Sequence, residues 1–149
     1  MSDLHALDFR LSWGECDPAG IVYFASWFPW LERVQTEWLF LAGERPDTLA
    51  ERRGIGMVVR HVGCDYLVPA KVFDPLRCRL TGGRFKNTSV VQSFTIDNRD
   101  TGVTHARAAM TVVFLDATGR PAPPPATLRA LWGPVETPVT APPRAAPPN

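Results

Sequence analysis

Several classes of protein are set aside by what this chain of 149 residues does not contain. Its three cysteines, Cys16, Cys64 and Cys78, are odd in number and stand far apart. Neither a disulfide framework nor a zinc knuckle is therefore expected. No apolar run is long enough to span a bilayer, because the longest apolar stretch is interrupted by Glu32, Arg33, Gln35 and Glu37. The first residues, Met1 to His5, lack the basic flank and apolar stretch of a signal peptide. Charge of one sign is also missing. Lys and Arg number 16 against 15 Asp and Glu, a net charge of +1. That balance gives no global electrostatic case for a nucleic-acid or anionic-membrane partner. Gly-rich phosphate loops, clusters with metal-ligand spacing and a Ser-His-Asp pattern are absent too. A soluble, cytoplasmic, metal-free globular chain is the expectation.

What is present suffices for one core. A chain of this length with 45% hydrophobic residues can bury about two-thirds of its unfolded surface without staples. Proline divides the sequence. Ten of the fifteen prolines lie beyond residue 120, and six of those fall within 133–149. Residues 133–149 have almost nothing to bury and read as a Pro-rich disordered tail. The folded domain is thus expected to span residues 1–132.

Hydrophobic period supplies the elements. Leu7, Phe9, Leu11 and Trp13 alternate with Asp8, Arg10 and Ser12, the pattern of a half-buried strand. After Ser26, apolar residues at 27, 30, 31, 34, 38 and 41 have helical spacing, with Pro29 in the first turn and Gly43 as a stop. Extended stretches follow at about 57–67, 76–84, 89–97 and 103–115, the last two joined by the turn residues Asn98–Gly102. A short terminal helix is expected over 126–132. One long helix followed by strands without crossover helices indicates an α+β fold, with an antiparallel sheet and helix on one face.

Between the first strand and the helix runs Gly14-Glu15-Cys16-Asp17-Pro18-Ala19-Gly20-Ile21-Val22-Tyr23-Phe24. Asp-Pro is ordinary turn chemistry, and Asp17 has a sufficient explanation as a turn residue. The functional reading is also open. A carboxylate beside a polarised acyl group can attack it or activate water, and a helix start offers unpaired N–H groups to a developing oxyanion.

The segment WGECDPAGIVYFASWFPWLERVQTEWL resembles the hotdog-fold acyl-CoA thioesterases, in their 4-hydroxybenzoyl-CoA thioesterase branch. Gly14, Glu15, Asp17, Gly20, Ile21, Val22 and Tyr23 fit the family's G-[DE]-x-D-x-x-G-[IV]-[VI]-[YWF] element. Asp65-Tyr66-Leu67-Val68-Pro69-Ala70 followed by Asp74 is similar to its second-strand pattern. The resemblance covers about residues 6–132. It implies a hotdog fold, a five-stranded antiparallel sheet wrapped around one long central helix. It also implies dimers with a shared sheet, often paired into homotetramers, and active sites at the dimer interface.

By the same resemblance, Asp17 is the catalytic carboxylate, as nucleophile or general base, and the Phe24 backbone N–H polarises the thioester carbonyl. Arg84, Lys86, Asn87, Thr88 and Ser89 fall where the family's aryl-CoA branch grips the nucleotide phosphates. Only Lys86 and the flanking Arg84 are cationic there, so the grip is thinned. Arg120 is a second phosphate candidate, although cations beside turns are commonly just solvated. Tyr23, Phe24 and Trp13 are candidates for an apolar acyl pocket. His61 lacks a named partner, as structural or exposed histidines do, and stands with Asp65 as a reserve site residue. Cys16 has no His to activate it and reads as an inert thiol. Trp27, Trp30 and Trp38 read as core. The implied activity is hydrolysis of an aryl- or medium-chain acyl-CoA to free acid and CoA. It needs no cofactor, CoA being part of the substrate. An acyl-carrier-protein thioesterase and a non-catalytic acyl-CoA binding protein remain as alternatives on the same fold.

Overall fold

A computed structural model describes residues 3–133. The Pro-rich segment expected to be disordered lies outside the described residues, apart from Gly133. Five strands form one antiparallel sheet: β1 (His5–Arg10), β2 (Gly56–Tyr66), β3 (Pro75–Phe85), β4 (Ser89–Asn98) and β5 (Thr104–Leu115). Their spatial order is β1-β3-β4-β5-β2, so β1 and β2 are the edges. The long helix α1 (Trp27–Leu41) packs against the sheet, joined by two short helices, α2 (Leu49–Arg53) and α3 (Ala126–Arg129). This is the hotdog arrangement. Among the described residues no helix is long and apolar enough to cross a membrane.

Alternation decides which face is buried. Leu76, Cys78 and Leu80 of β3, Val90, Gln92, Phe94 and Ile96 of β4, and Ala106, Met110, Val112 and Phe114 of β5 all lie in one core. Against them α1 buries Trp27, Leu31, Val34, Gln35, Trp38 and Leu39. Inside that core Gln35 Nε2 donates to Gln92 Oε1 at 2.7 Å, and Gln92 Nε2 is buried without a partner among the described residues. Trp27 and Trp38 are core residues as expected, whereas Trp30 is half-buried and stacks on Phe9 with ring centroids 3.6 Å apart. Leu41 is exposed and Leu39 takes its place in the core.

One local expectation is corrected. The first strand ends at Arg10, and Trp13 starts a 3₁₀ turn (Trp13–Glu15) that leaves its ring 79% exposed. The Ser12 N–H donates to Glu15 Oε2 at 2.8 Å and the Glu15 N–H to the Ser12 carbonyl at 3.1 Å, which turns the chain before Trp13 can join the strand face. Ser26 does not cap α1 with its side chain. A preceding 3₁₀ turn (Phe24–Ser26) already holds it in helical conformation, and its hydroxyl donates to the Glu15 carbonyl at 2.9 Å.

The long edge strand β2 leaves Val58, Val59, Val62 and Tyr66 exposed. At the opposite end of the fold, Trp132 closes the core against Trp38, Phe85 and Phe114.

Candidate active site

Glu15 organises the segment between β1 and α1. Its carboxylate accepts from the Ser12 N–H and, at 2.6 Å, from the Trp30 indole. Its carbonyl accepts from the Tyr23 N–H at 2.8 Å. One residue thus ties the start of the loop, its end and the helix together. Between these ties the chain forms a small hairpin in which Cys16 pairs with Val22, and Ile21 pairs with Lys71 beyond β2. At the hairpin tip the Gly20 N–H donates to the Asp17 carbonyl at 2.9 Å, and Gly20 has φ +78°, a left-handed conformation that glycine adopts without strain.

Asp17 is therefore a turn residue, as its Asp-Pro setting suggested. Its Oδ1 accepts from the Ala19 N–H at 2.8 Å. That single bond orients the carboxylate and leaves Oδ2 without a hydrogen-bond partner among the described residues. The side chain is half-buried. It stands at a cleft of about 420 Å³ lined also by Ile21, Val22, Phe24, Trp27, Tyr66, Leu67, Val68, Pro69 and His105. On its other side a second recess of about 390 Å³ takes in Trp13, Cys16 and Val72. Of the three aromatics suggested for an acyl pocket, only Phe24 lines the cleft; Trp13 faces the second recess, and Tyr23 lies half-exposed against Phe24.

Phe24 opens the turn that leads into α1 and is 58% exposed. Its carbonyl accepts from the Tyr66 hydroxyl at 2.9 Å, which fixes the helix start to the end of β2. Its N–H makes no hydrogen bond among the described residues. Burial raises the pKa of the Tyr66 hydroxyl, with the neighbouring Cys64 adding to it, and so keeps it a donor. Burial likewise pushes the Cys16 thiol up, helped by the charges of Glu15 and Asp17, and lifts Cys78 to about 12. The inert-thiol reading of Cys16 follows from that.

The remaining candidates lie elsewhere. Lys86, Asn87 and Thr88 form the turn between β3 and β4, with Arg84 near the end of β3 and Ser89 at the start of β4, and the Lys86 N–H donates to the Ser89 carbonyl at 2.8 Å. Arg120 follows the Asp116 turn at the same end of the sheet, where the Phe114 N–H donates to the Thr88 carbonyl. The span of β5 from His105 to Phe114 separates this end from the Asp17 cleft, about 30 Å at roughly 3.3 Å per residue. His61 is exposed on the edge strand, and Asp65 is exposed beside Tyr66 without lining the cleft. Strand alternation points Asp65 away from the face on which Tyr66 reaches Phe24. His105 is the cleft residue that sequence reasoning missed. Among the described residues no group of three or more His, Cys, Asp and Glu side chains is placed to hold a metal.

Fold and site together define a hotdog domain with a carboxylate and a free helix-start N–H at the mouth of one apolar cleft. The chain belongs to the thioesterase-like superfamily, whose family model matches residues 11–131. It is 26% identical over 95 residues to a protein of Pseudomonas sp. (strain CBS-3) named 4-hydroxybenzoyl-CoA thioesterase, a match spanning 62% of this chain and 67% of that one. It is 29% identical over 82 residues to the acyl-CoA thioesterase YbgC of Haemophilus influenzae, spanning 55% of this chain and 60% of the relative's length. Its fold superposes on the crystal structure of a 1,4-dihydroxy-2-naphthoyl-CoA thioesterase from Synechocystis with a TM-score of 0.78, covering 86% of this chain and 94% of that one. At 19% identity that last likeness is one of fold.

Proposed function

We propose that this protein hydrolyses an acyl-CoA thioester to free acid and CoA, with Asp17 as the reacting carboxylate. The observation that carries the reading is the pairing of a free Asp17 Oδ2 with the unpartnered Phe24 N–H across one apolar cleft. The names of the two sequence relatives support the reaction class.

In the nucleophilic route, Oδ2 attacks the thioester carbon while the Phe24 N–H and the positive end of α1 stabilise the oxyanion. Collapse breaks the C–S bond, CoA leaves as the thiolate, and water hydrolyses the mixed anhydride to return Asp17. In the general-base route, Oδ2 takes a proton from water, which attacks the same carbon. Both use the same two groups. Neither requires a cofactor.

The phosphate candidates bear on assembly. Arg84, Lys86, Asn87, Thr88, Ser89 and Arg120 lie at the far end of the sheet from Asp17, so a CoA held in the cleft meets them only if a second copy supplies them. The unpaired edge of β2 supports that arrangement. It is eleven residues long and presents Val59 at 54% exposure, the kind of edge that proteins cover or pair. A homodimer, or a homotetramer built from two, is the proposed assembly. Val59→Asp should then shift the protein to monomer in light scattering and remove turnover. A variant that stays dimeric and active would place the interface elsewhere.

The deciding experiment measures free-thiol release from aryl, short-chain and long-chain acyl-CoA esters, each beside its acyl-pantetheine truncation. Turnover of one acyl class, weakened by the truncation, supports a CoA ester as substrate. Equal rates on both forms favour an acyl-carrier-protein substrate. Binding without any release favours the non-catalytic alternative.

A further inference from the structure

Phe24 sits in a turn of only three residues, Phe24–Ser26, and is 58% exposed, a setting that supplies little rigidity of its own. Two ties reach it, one from each side. The peptide that carries the Phe24 N–H is held through its carbonyl, that of Tyr23, which accepts from the Ser26 N–H at 2.8 Å. Ser26 is held in turn by its hydroxyl, which donates to the Glu15 carbonyl at 2.9 Å. That tie stays within the segment leading from Glu15 into α1. The second tie comes from the sheet: the Phe24 carbonyl accepts from the Tyr66 hydroxyl, 42 residues away, at 2.9 Å.

The sheet end of this second tie is itself fixed. Tyr66 is the last residue of β2 and pairs with Ala106 of β5. The N–H groups of the next two residues, Leu67 and Val68, both donate to the His105 carbonyl, at 2.9 and 3.3 Å. The phenol therefore reaches Phe24 from a bolted platform. For stability the bond matters little, because its acceptor lies on an exposed turn where water would serve as donor. For a reaction it matters more. An oxyanion donor contributes most when it is already aimed and needs no reorganisation as charge develops. Small misplacements of such a group are expensive in rate.

We propose that Tyr66 is a positioning residue for the reaction: its hydroxyl holds the Phe24 carbonyl and so keeps the Phe24 N–H aimed at the thioester oxygen. The inference rests on the thioesterase reading and extends it to a residue that acts through Phe24. The Tyr66 ring lines the cleft, but its one O–H proton goes to the Phe24 carbonyl and leaves none for a substrate.

Tyr66→Phe removes the hydroxyl and keeps the ring. On the acyl-CoA ester that the wild type turns over, kcat should fall about tenfold with KM within about twofold, the pattern of an interaction felt only in the transition state. The melting temperature should move by no more than about 4 °C. Phe24→Pro supplies the background that isolates the route. It deletes the N–H at the first residue of a helical turn, where proline fits, and Tyr23 (φ −69°, ψ 132°) already has the extended conformation that a following proline favours. Turnover should drop about 10²-fold, and adding Tyr66→Phe should then slow it by less than about twofold. One readout needs no activity. The ¹⁵N order parameter of the Phe24 amide should fall from the rigid value of about 0.85 toward about 0.6 in Tyr66→Phe. An unchanged kcat, a raised KM with kcat intact, an unchanged order parameter, or a tenfold loss that persists on top of Phe24→Pro would each overturn the positioning role. A rate loss accompanied by a larger fall in melting temperature would reduce Tyr66 to a structural tie. Absence of turnover on every ester in the wild type would instead sink the thioesterase reading, and the order parameter alone then decides whether Tyr66 holds Phe24.

Discussion

Asp17→Asn is expected to lower thioester turnover by about 10²- to 10⁴-fold without unfolding the protein. The substitution is unusually discriminating here because the turn and the proposed chemistry use different oxygens of Asp17. The turn uses Oδ1, which accepts the Ala19 N–H, and an asparagine carbonyl accepts that bond equally well. The proposed chemistry uses Oδ2, which the amide replaces with a group that neither attacks a carbonyl nor takes a proton from water. If Asp17 is only a turn residue, the variant and the wild type should turn over at the same rate. Free-thiol release at saturating ester, run beside a thermal melt, reads both quantities at once. Equal rates would move the chemistry off Asp17.

Trp132→Ala is expected to cost about 3–5 kcal/mol of stability, a loss readable by urea denaturation. Trp132 lies at the end of the described residues yet is only 5% exposed, and its ring packs edge-on against Trp38, Phe85 and Phe114. Its indole N–H has no partner among the described residues, so packing is what holds it. Room for the ring exists because position 83 has no side chain. A Cβ there would lie 2.3 Å from Trp132 Cδ1 and 3.0 Å from Val90 Cγ2. Gly83→Ala should accordingly cost about 1–3 kcal/mol by overpacking the same contact. A loss below 1 kcal/mol in Trp132→Ala would mean that the terminal helix is peripheral to the core.

Most of the scaffold was legible because period and face agree along each element. Leu76, Cys78 and Leu80 alternate with charged neighbours, and the observed strand buries those three. The helix was legible from its apolar spacing and from Gly43, which has φ +80° as a stop requires. Misreadings arose where non-local bonds win. Trp13 fits the alternation of β1, but the turn that expels it depends on Glu15, itself braced by Trp30. The helix α2 is five residues long, too short to show a period. Asp17 and Phe24 became candidates through the resemblance, and they line one cleft, whereas spacing alone left Asp17 an ordinary turn residue. His105 was not legible at all. Its entry into the cleft depends on a slip of one residue between β4 and β5, and a slip leaves no mark in the hydrophobic pattern of either strand.

The strand order has a kinetic consequence. β3, β4 and β5 follow one another in the chain and lie side by side, so two tight connections suffice to raise the middle of the sheet. β2 precedes all three yet pairs with the outermost, Val62 meeting Met110. Closing so long a loop is entropically unfavourable until β5 is in place to receive the strand. The central meander and the helix that covers it therefore form the nucleus, and β2 zips on afterwards. Tyr66 can reach the Phe24 carbonyl only in that last event. Until then the chain is a folded hub with an unfinished rim, and both the cleft and the long free edge of β2 come into being together, at the end of folding.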